Sequence, residues 1–401
     1  MSNTPLRIGI VANEFFDASI GRVGGFGWAA RKAADVFVNH SACNAKVFFL
    51  TAEELDTDRS GSTELEGIPL ISLYGNRLSN IAKLLPKKID VLLTIDYRTT
   101  YRGVFNALPF TPIITWVRDP RSSRDIEKVM SLKIPGKEYT IPAGIGDTNT
   151  KELSMYKDRP FPFLNSVTLS NKMPYMKKTN EAVYGMPSSN AVLPNPSVVD
   201  YGSVRVQKSE NPTVLFLGRL DPIKRPWLFI ELARNFPDVS FLMLGENHFS
   251  IEESWEIDNV PENLKLLGHV TGLQKFEILS SAWVLVNTSI HEQSPVSVME
   301  ALAYETAVLS YEDWGGLVGR HGMAIGQHTG TGMAGLPDLT NALQFLLSNN
   351  EKRKYFGRAG RQYVEKEHND EAFLAAFRDI CLAAGVTKVR DAIKFDTGEF
   401  S

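Results

Sequence analysis

Four charged residues, far apart in the chain, are the ones best equipped to do chemistry. Arg219 and Lys224 sit in Gly218-Arg219-Leu-Asp-Pro-Ile-Lys224, just after the apolar run Thr213-Val-Leu-Phe-Leu. Glu292 and Glu300 bracket Gln-Ser-Pro-Val-Ser-Val-Met, eight positions apart. A guanidinium at a strand end grips a diphosphate bidentately, an ammonium acts as a point charge, and both offset charge developing on a departing diphosphate. Ser294-Pro295 reads as a helix start, Ser as N-cap and Pro at the first helical position. The N–H groups of Val296 and Ser297, with the positive end of the helix dipole, then form a phosphate-binding end. Glu300 lies on the same helix face as Val296 and Ser297, placed to accept from a ribose diol. Glu292, before the turn, can reach sugar hydroxyls. A ligand with a diphosphate and several hydroxyls, a nucleotide sugar, would meet all of them. The plainer readings are a structural Ser-Pro cap with solvated glutamates, and surface pairing of the cations with Asp221 or Glu231.

The elements around these residues alternate. Apolar strands are expected at 7–12, 46–50, 89–95, 112–117 and 163–170, with a helix from about 28 to 37 after the glycine-rich loop Gly21-Arg-Val-Gly-Gly-Phe-Gly27. Residues 120–160 read as loop with short helices, and 171–184 as a basic helical connection. A second set follows: strands 213–218, 239–244, 264–267, 283–287 and 308–310, with helices 226–235, 273–280 and 295–304. Helices near 339–347, 352–366 and 371–384 close the chain. Strands that are apolar throughout and alternate with helices indicate parallel sheets covered on both faces. The prolines of Leu193-Pro-Asn-Pro-Ser-Val-Val-Asp200 continue neither a helix nor an interior strand, so they mark a boundary. The expected architecture is α/β: two tandem doubly wound Rossmann-like domains, residues 1–195 and 196–370, facing a central cleft with ligands at the carboxyl ends of the strands.

At 401 residues the chain suits two domains, and 43% hydrophobic with 22% charged residues is ordinary for a soluble protein. Cys43 and Cys381 are too few and too far apart for a disulfide framework or a cysteine metal site, which points to a cytoplasmic setting. No signal-peptide core or membrane-length apolar run is visible. Residues 1–200 hold 24 Lys/Arg against 20 Asp/Glu, the remainder 19 against 26. A basic first half suits peripheral contact with an anionic inner membrane face, or simply a solvated surface.

The order and spacing of these segments resemble the family-4 retaining glycosyltransferases of GT-B architecture. Leu217-Gly-Arg-Leu-Asp-Pro-Ile-Lys224 is similar to the family's Gly-Arg…Lys element. Glu292 and Glu300, followed by Ala301-Leu302-Ala303, fit its Glu-x7-Glu signature. Leu267-Gly-His-Val270, the proline-rich 192–200 segment and the Gly24-Gly25 loop also have counterparts. The resemblance implies that Arg219 and Lys224 bind the diphosphate, Glu300 the ribose, and Glu292 with the backbone after it the transferred sugar. Gly218, Ser294, Pro295, Val296 and Ser297 complete the donor site, and Gly25 lets a backbone N–H approach the phosphate. Arg219, Lys224 and Glu292 are the catalytic candidates. It further implies a UDP, GDP or ADP sugar as co-substrate, a glycan or lipid-linked acceptor on the first domain, no required metal or cofactor, retention, and a final helix (about 371–390) packed back on the first domain. Where the family often has a histidine, in a segment like Thr-Val-His-Asp, this chain reads Trp116-Val117-Arg118-Asp119. Arg118 or Asp119 is a candidate sugar or anionic-acceptor contact, or a structural pair.

Other chemistries have weaker support. Asp56-Thr57-Asp58 has the spacing of a metal–diphosphate motif but falls in a polar loop. The seven histidines show no metal-ligand spacing, and the glycine-rich loop does not read Gly-x-Gly-x-x-Gly. The basic run 172–178 lacks the aromatic interleaving of a nucleic-acid surface. A non-catalytic nucleotide-binding scaffold or partner, and another GT-B enzyme such as an epimerase or phosphorylase, remain alternatives.

Overall fold

The structure is a computed structural model that describes residues 4–16, 25–54, 63–137, 165–197, 205–249, 259–293 and 295–395. The chain divides into two compact units. The first comprises residues 1–120, 148–197 and 368–401; the second comprises 121–147 and 198–367.

In chain order the elements up to residue 192 are β1 (Leu6–Val11), α1 (Gly25–Asn39), β2 (Ala45–Thr51), β3 (Thr63–Leu65), β4 (Ile68–Ser72), α2 (Arg77–Leu84), β5 (Val91–Ile95), α3 (Arg102–Ala107), β6 (Ile113–Val117), α4 (Ser123–Met130), β7 (Val167–Asn171), α5 (Lys177–Tyr184) and β8 (Ser188–Val192). All but α4 belong to the first unit. Its eight strands run β3-β4-β2-β1-β5-β6-β7-β8, parallel except for the β3–β4 hairpin. Central strands β1, β5 and β6 are buried almost throughout, as a sheet covered on both faces requires.

Several of these elements escape a reading of apolar runs. β3 and β4 are short, carry Pro69 just before the β4 register with β2 begins at Leu70, and turn through Glu66 and Gly67 at φ 51° and 78°. β8 is Ser-Ser-Asn-Ala-Val, hardly apolar. The expected helix at 171–184 begins later, because β7 runs to Asn171 and Pro174 opens a short 3₁₀ turn before α5. The expected strand at 163–170 is seen from Val167; residues 163 and 164 lie outside the described residues.

The later elements are β9 (Thr213–Leu217), α6 (Pro226–Arg234), β10 (Ser240–Leu244), β11 (Leu264–Gly268), α7 (Gly272–Ser281), β12 (Val284–Asn287), α8 (Val296–Ala303), β13 (Ala307–Ser310), α9 (Leu317–His321), β14 (Gly322–Ala324), α10 (Leu336–Ser348), α11 (Asn350–Glu367), α12 (Asp370–Ala383) and α13 (Val389–Ala392). The six-stranded parallel sheet runs β11-β10-β9-β12-β13-β14. Its order reverses between β9 and β12, and ligands of open α/β sheets bind outside the carboxyl ends of strands at such a switch point. Both motifs singled out in the sequence leave the sheet there.

Helix α12 lies in the first unit although it follows the second in the chain. Phe373, Leu374, Phe377, Ile380 and Cys381 are fully buried, with Phe377 4.6 Å from Phe37 and Phe373 5.5 Å from Trp116 between ring centroids. Burying such a side chain stabilises by about 1.5–3 kcal/mol. The proline-rich segment is also anchored as far as it is described: Trp116 Nε1 donates to Leu193 O at 2.7 Å, and Ser197 N–H donates to Asp370 Oδ1 at 2.8 Å.

Candidate functional site

The turn after β9 is shaped by its acid and its prolines. Asp221 caps the 3₁₀ turn Pro222–Lys224, its Oδ1 accepting the Lys224 N–H at 3.0 Å. Arg225 then takes a left-handed conformation, φ 48°, and α6 begins at Pro226. This backbone reversal sends the two neighbouring cations apart. The Arg225 guanidinium turns inward and is fully buried. It donates to Thr288 O (2.8 Å), Ser289 O (3.2 Å) and His328 O (2.6 Å), and lies 4.7 Å from the Tyr311 ring centroid. Burial lowers its pKa to about 10, with Tyr311 and Glu312 opposing the shift.

The turn is thereby stitched to the loop after β12. Ile290 N–H donates to Ile223 O at 2.8 Å, and Thr288 Oγ1 to Lys224 O at 2.6 Å. Lys224 and Glu292, 68 residues apart, meet: Nζ donates to Glu292 Oε1, which also accepts from Ser289 Oγ at 3.1 Å. Arg219 stays outside this knot. Its side chain is 58% exposed, with Nε 3.4 Å from Asp221 Oδ2.

Helix α8 carries the second carboxylate. Ser294 lies outside the described residues; Pro295 occupies the N-cap, one place earlier than its expected role as first helical residue, and Val296 opens the helix. The first helical bonds come from the Val298 and Met299 N–H groups to Pro295 O, so those of Val296 and Ser297 lie ahead of the ladder. Val298, Met299, Ala301, Leu302 and Ala303 are buried, which fixes the rotation of the helix. Glu300, 8% exposed, pairs with Lys275 of α7 at 2.7 Å.

Gly218 follows β9, and a side chain there would meet the Lys224 stem at 3.7 Å. The tighter requirement is at Gly245, after β10. A Cβ there would fall 1.8 Å from Gly218 O.

The remaining candidates lie in the first unit. Gly25 opens α1, and a Cβ built on it meets nothing within 4 Å. Gly21 and Gly24, like Asp56-Thr57-Asp58, lie outside the described residues. Gly27 has a plain structural reason: a Cβ would fall 2.1 Å from Phe15 O. Arg118 is buried rather than displayed. Its Nη1 donates to Asn195 Oδ1 at 2.9 Å, its guanidinium lies 4.4 Å from the Trp116 ring centroid, and its N–H donates to Asp96 Oδ1 at 2.6 Å. Burial raises the pKa of Asp96 to about 6, against the lowering effect of the Arg118 N–H, with Asp119 adding to the rise.

Sequence reasoning missed Arg225, Lys275, Glu312, Lys128 and Gln327. Glu312, just beyond β13, is buried beneath the Glu292 loop and joined to Lys128 of α4 and to Gln327. Only Arg225 carried a signal, its adjacency to Lys224.

Residues 203–363 match the family model described as glycosyl transferases group 1. The whole sequence has no match among curated proteins. In fold, the chain is similar to sucrose-phosphate synthase from Thermosynechococcus elongatus (TM-score 0.68, 15% identity, covering 96% of this chain and 99% of that one). It is similar also to Anabaena HepE, solved with UDP-glucose (TM-score 0.64, 12% identity, 95% and 99%). WaaG, a glycosyltransferase involved in lipopolysaccharide biosynthesis, is a third (TM-score 0.60, 12% identity, 94% and 99%). At such identities the likeness establishes the fold. The chain is thus a two-unit protein of GT-B fold whose second unit matches the glycosyl transferases group 1 model over residues 203–363.

Proposed function

We propose that this protein is a retaining glycosyltransferase that moves a hexose-type sugar from a nucleotide diphosphate sugar to a glycan or lipid-linked acceptor. The observation that carries this reading is the meeting of Lys224 and Glu292 at the switch point of the second sheet, beside an exposed Arg219 and the start of α8. In this reading Arg219 and the N–H groups of Val296 and Ser297 take the diphosphate. An ammonium has three donors, so Lys224 can hold Glu292 and a phosphate oxygen together. Both cations then offset the charge left on the departing diphosphate. Glu300 takes the ribose diol, and Glu292 with the backbone through Ser294 and Pro295 takes the sugar. The diphosphate oxygen itself serves as the base for the acceptor hydroxyl, and no metal is needed. The first unit serves the acceptor side.

For the acceptor, the surface of the first unit supports a lipid-linked substrate and peripheral membrane contact. Leu78 and Ala82 on α2, with Leu85 just after it, form an exposed apolar stripe. Residues 67–89 hold four cations and no acid. Among the described residues no helix is long and apolar enough to cross a membrane.

A thermal-shift panel of UDP, GDP, ADP and their sugars tests the donor half, since a ligand bound by the native state raises its melting temperature. Transfer, or slow donor hydrolysis, with retained anomeric configuration by NMR is the expected outcome. Tight nucleotide binding without either would favour the non-catalytic scaffold. Epimerised donor, or activity with free phosphate, would favour another GT-B enzyme.

A further inference from the structure

The carboxylate of Glu312 is buried, and its position is filled with donors. Oε1 accepts from Gln327 Nε2 at 3.0 Å and from Lys128 Nζ. Oε2 accepts from Trp314 Nε1 and from the backbone N–H of Glu292, both at 3.1 Å. An ionised carboxylate has about four acceptor sites, and four donors meet this one. Lys128 is 6% exposed, so its charge and that of Glu312 are removed from water together. Breaking such a pair is strongly destabilising because the survivor is left uncompensated.

The pair also spans an unusual stretch of chain. Lys128 lies on α4, whose start is fixed by a capping box between Ser122 and Asp125. Asp125 Oδ1 lies 3.7 Å from both Lys128 Nζ and the buried His291 Nδ1. Ser131 Oγ, just past the helix, accepts from Gly330 N–H at 3.4 Å. Helix α4 is therefore fastened beneath residues 291 and 292, and the fastening ends on the Glu292 peptide.

We propose that Glu312 is a positioning residue for Glu292, and that Lys128 is the counter-charge that keeps Glu312 in that role. Glu312 touches no substrate. It fixes the Glu292 peptide, so the side chain that Lys224 engages is presented in one orientation. The consequence for donor binding rests on the proposed function; the effect on the Glu292 peptide does not.

Two measurements separate these levels. Amide hydrogen exchange, without ligand, reads the peptide directly. Glu312→Gln keeps the volume but leaves a single acceptor atom for four donors. The expected result is exchange of the Glu292 amide at least about tenfold faster, while the Ile290 amide, bonded to Ile223 O, keeps its protection. Lys128→Met should reproduce this and Lys128→Arg should not, which keeps the test alive if Glu312→Gln fails to fold. Unchanged Glu292 exchange, or equal loosening of Ile290, overturns the proposal.

Kinetics then use whichever of UDP-glucose, GDP-glucose and ADP-glucose gives the largest thermal shift. Glu312→Gln should raise its KM about tenfold with kcat within twofold, and the effect should largely vanish in a Glu292→Gln background. Additive effects would show that Glu312 acts elsewhere. If wild-type protein binds none of the three, the donor reading falls while the exchange result stands by itself.

Discussion

Lys224 and Arg225 are chain neighbours with opposite roles: one ammonium faces Glu292, and one guanidinium ties two loops together through three carbonyls. Lys224 and Glu292 could be singled out because both belong to spaced motifs, but their ion pair with each other was not expected. Nor were the partners that hold them. Lys128 and Glu312 stand 184 positions apart and Lys275 stands 25 from Glu300, and no motif surrounds Lys128, Glu312 or Lys275. Spacing along a chain carries no record of contacts that only the tertiary fold creates. Glu300 gives the sharpest test at this scale. Glu300→Gln keeps the shape but loses the charge, and hydrogen bonds to charged groups contribute about 1.5–3 kcal/mol. Steady-state kinetics should therefore show the donor KM raised roughly 10- to 100-fold with a smaller change in kcat.

The strands and helices that position the site were largely visible, since apolar runs and helical periods follow directly from burial on both faces of a parallel sheet. β3, β4, β8 and β14 were not, being short or polar strands whose place is set by a neighbour rather than by their own composition, and β14 adds a strand beyond the expected last one at 308–310. One feature of the site belongs wholly to element packing. Gly245, at φ 153°, lets the end of β10 approach Gly218 O, and so fixes the turn that carries Arg219 and Lys224. Gly245→Ala should destabilise by about 1–3 kcal/mol, the usual cost of overpacking. Nucleotide-induced thermal shift should fall with it, because the displaced backbone is that of the cation turn. A variant with wild-type melting and wild-type nucleotide response would show that the close approach is dispensable.

Across the whole molecule, the first unit is completed by residues that follow the second, and His368 stands at that return. It is buried, and its pKa is lowered to about 4, first by burial and then by Lys172 and Arg118, against a hydrogen bond from its ring to the Asn195 backbone that raises it. The unfolded chain takes up a proton near pH 6.5 that the folded state refuses until about pH 4. Stability is therefore lost as pH falls through that window, by roughly 3 kcal/mol, and changes little from this group above it. Asp96 acts in the opposite sense: its raised pKa makes the folded form the better proton binder between about pH 4 and 6, so acidification relieves a cost there. Denaturant midpoints between pH 7 and 4 should fall in the wild type and fall less in His368→Gln. Equal slopes in the two proteins would remove His368 as the cause.

The seating of α12 against Phe37 and Trp116 has a consequence for biosynthesis. A polypeptide emerging from the ribosome exposes β1, α1 and β6 early, yet the apolar partner they need is translated more than 250 residues later. The second sheet, by contrast, has its strands and its covering helices in hand as soon as α11 has emerged. Domains generally fold as units and in order of synthesis. Here that order is inverted, and the half made first must wait, partly uncovered, for the last long helix of the chain.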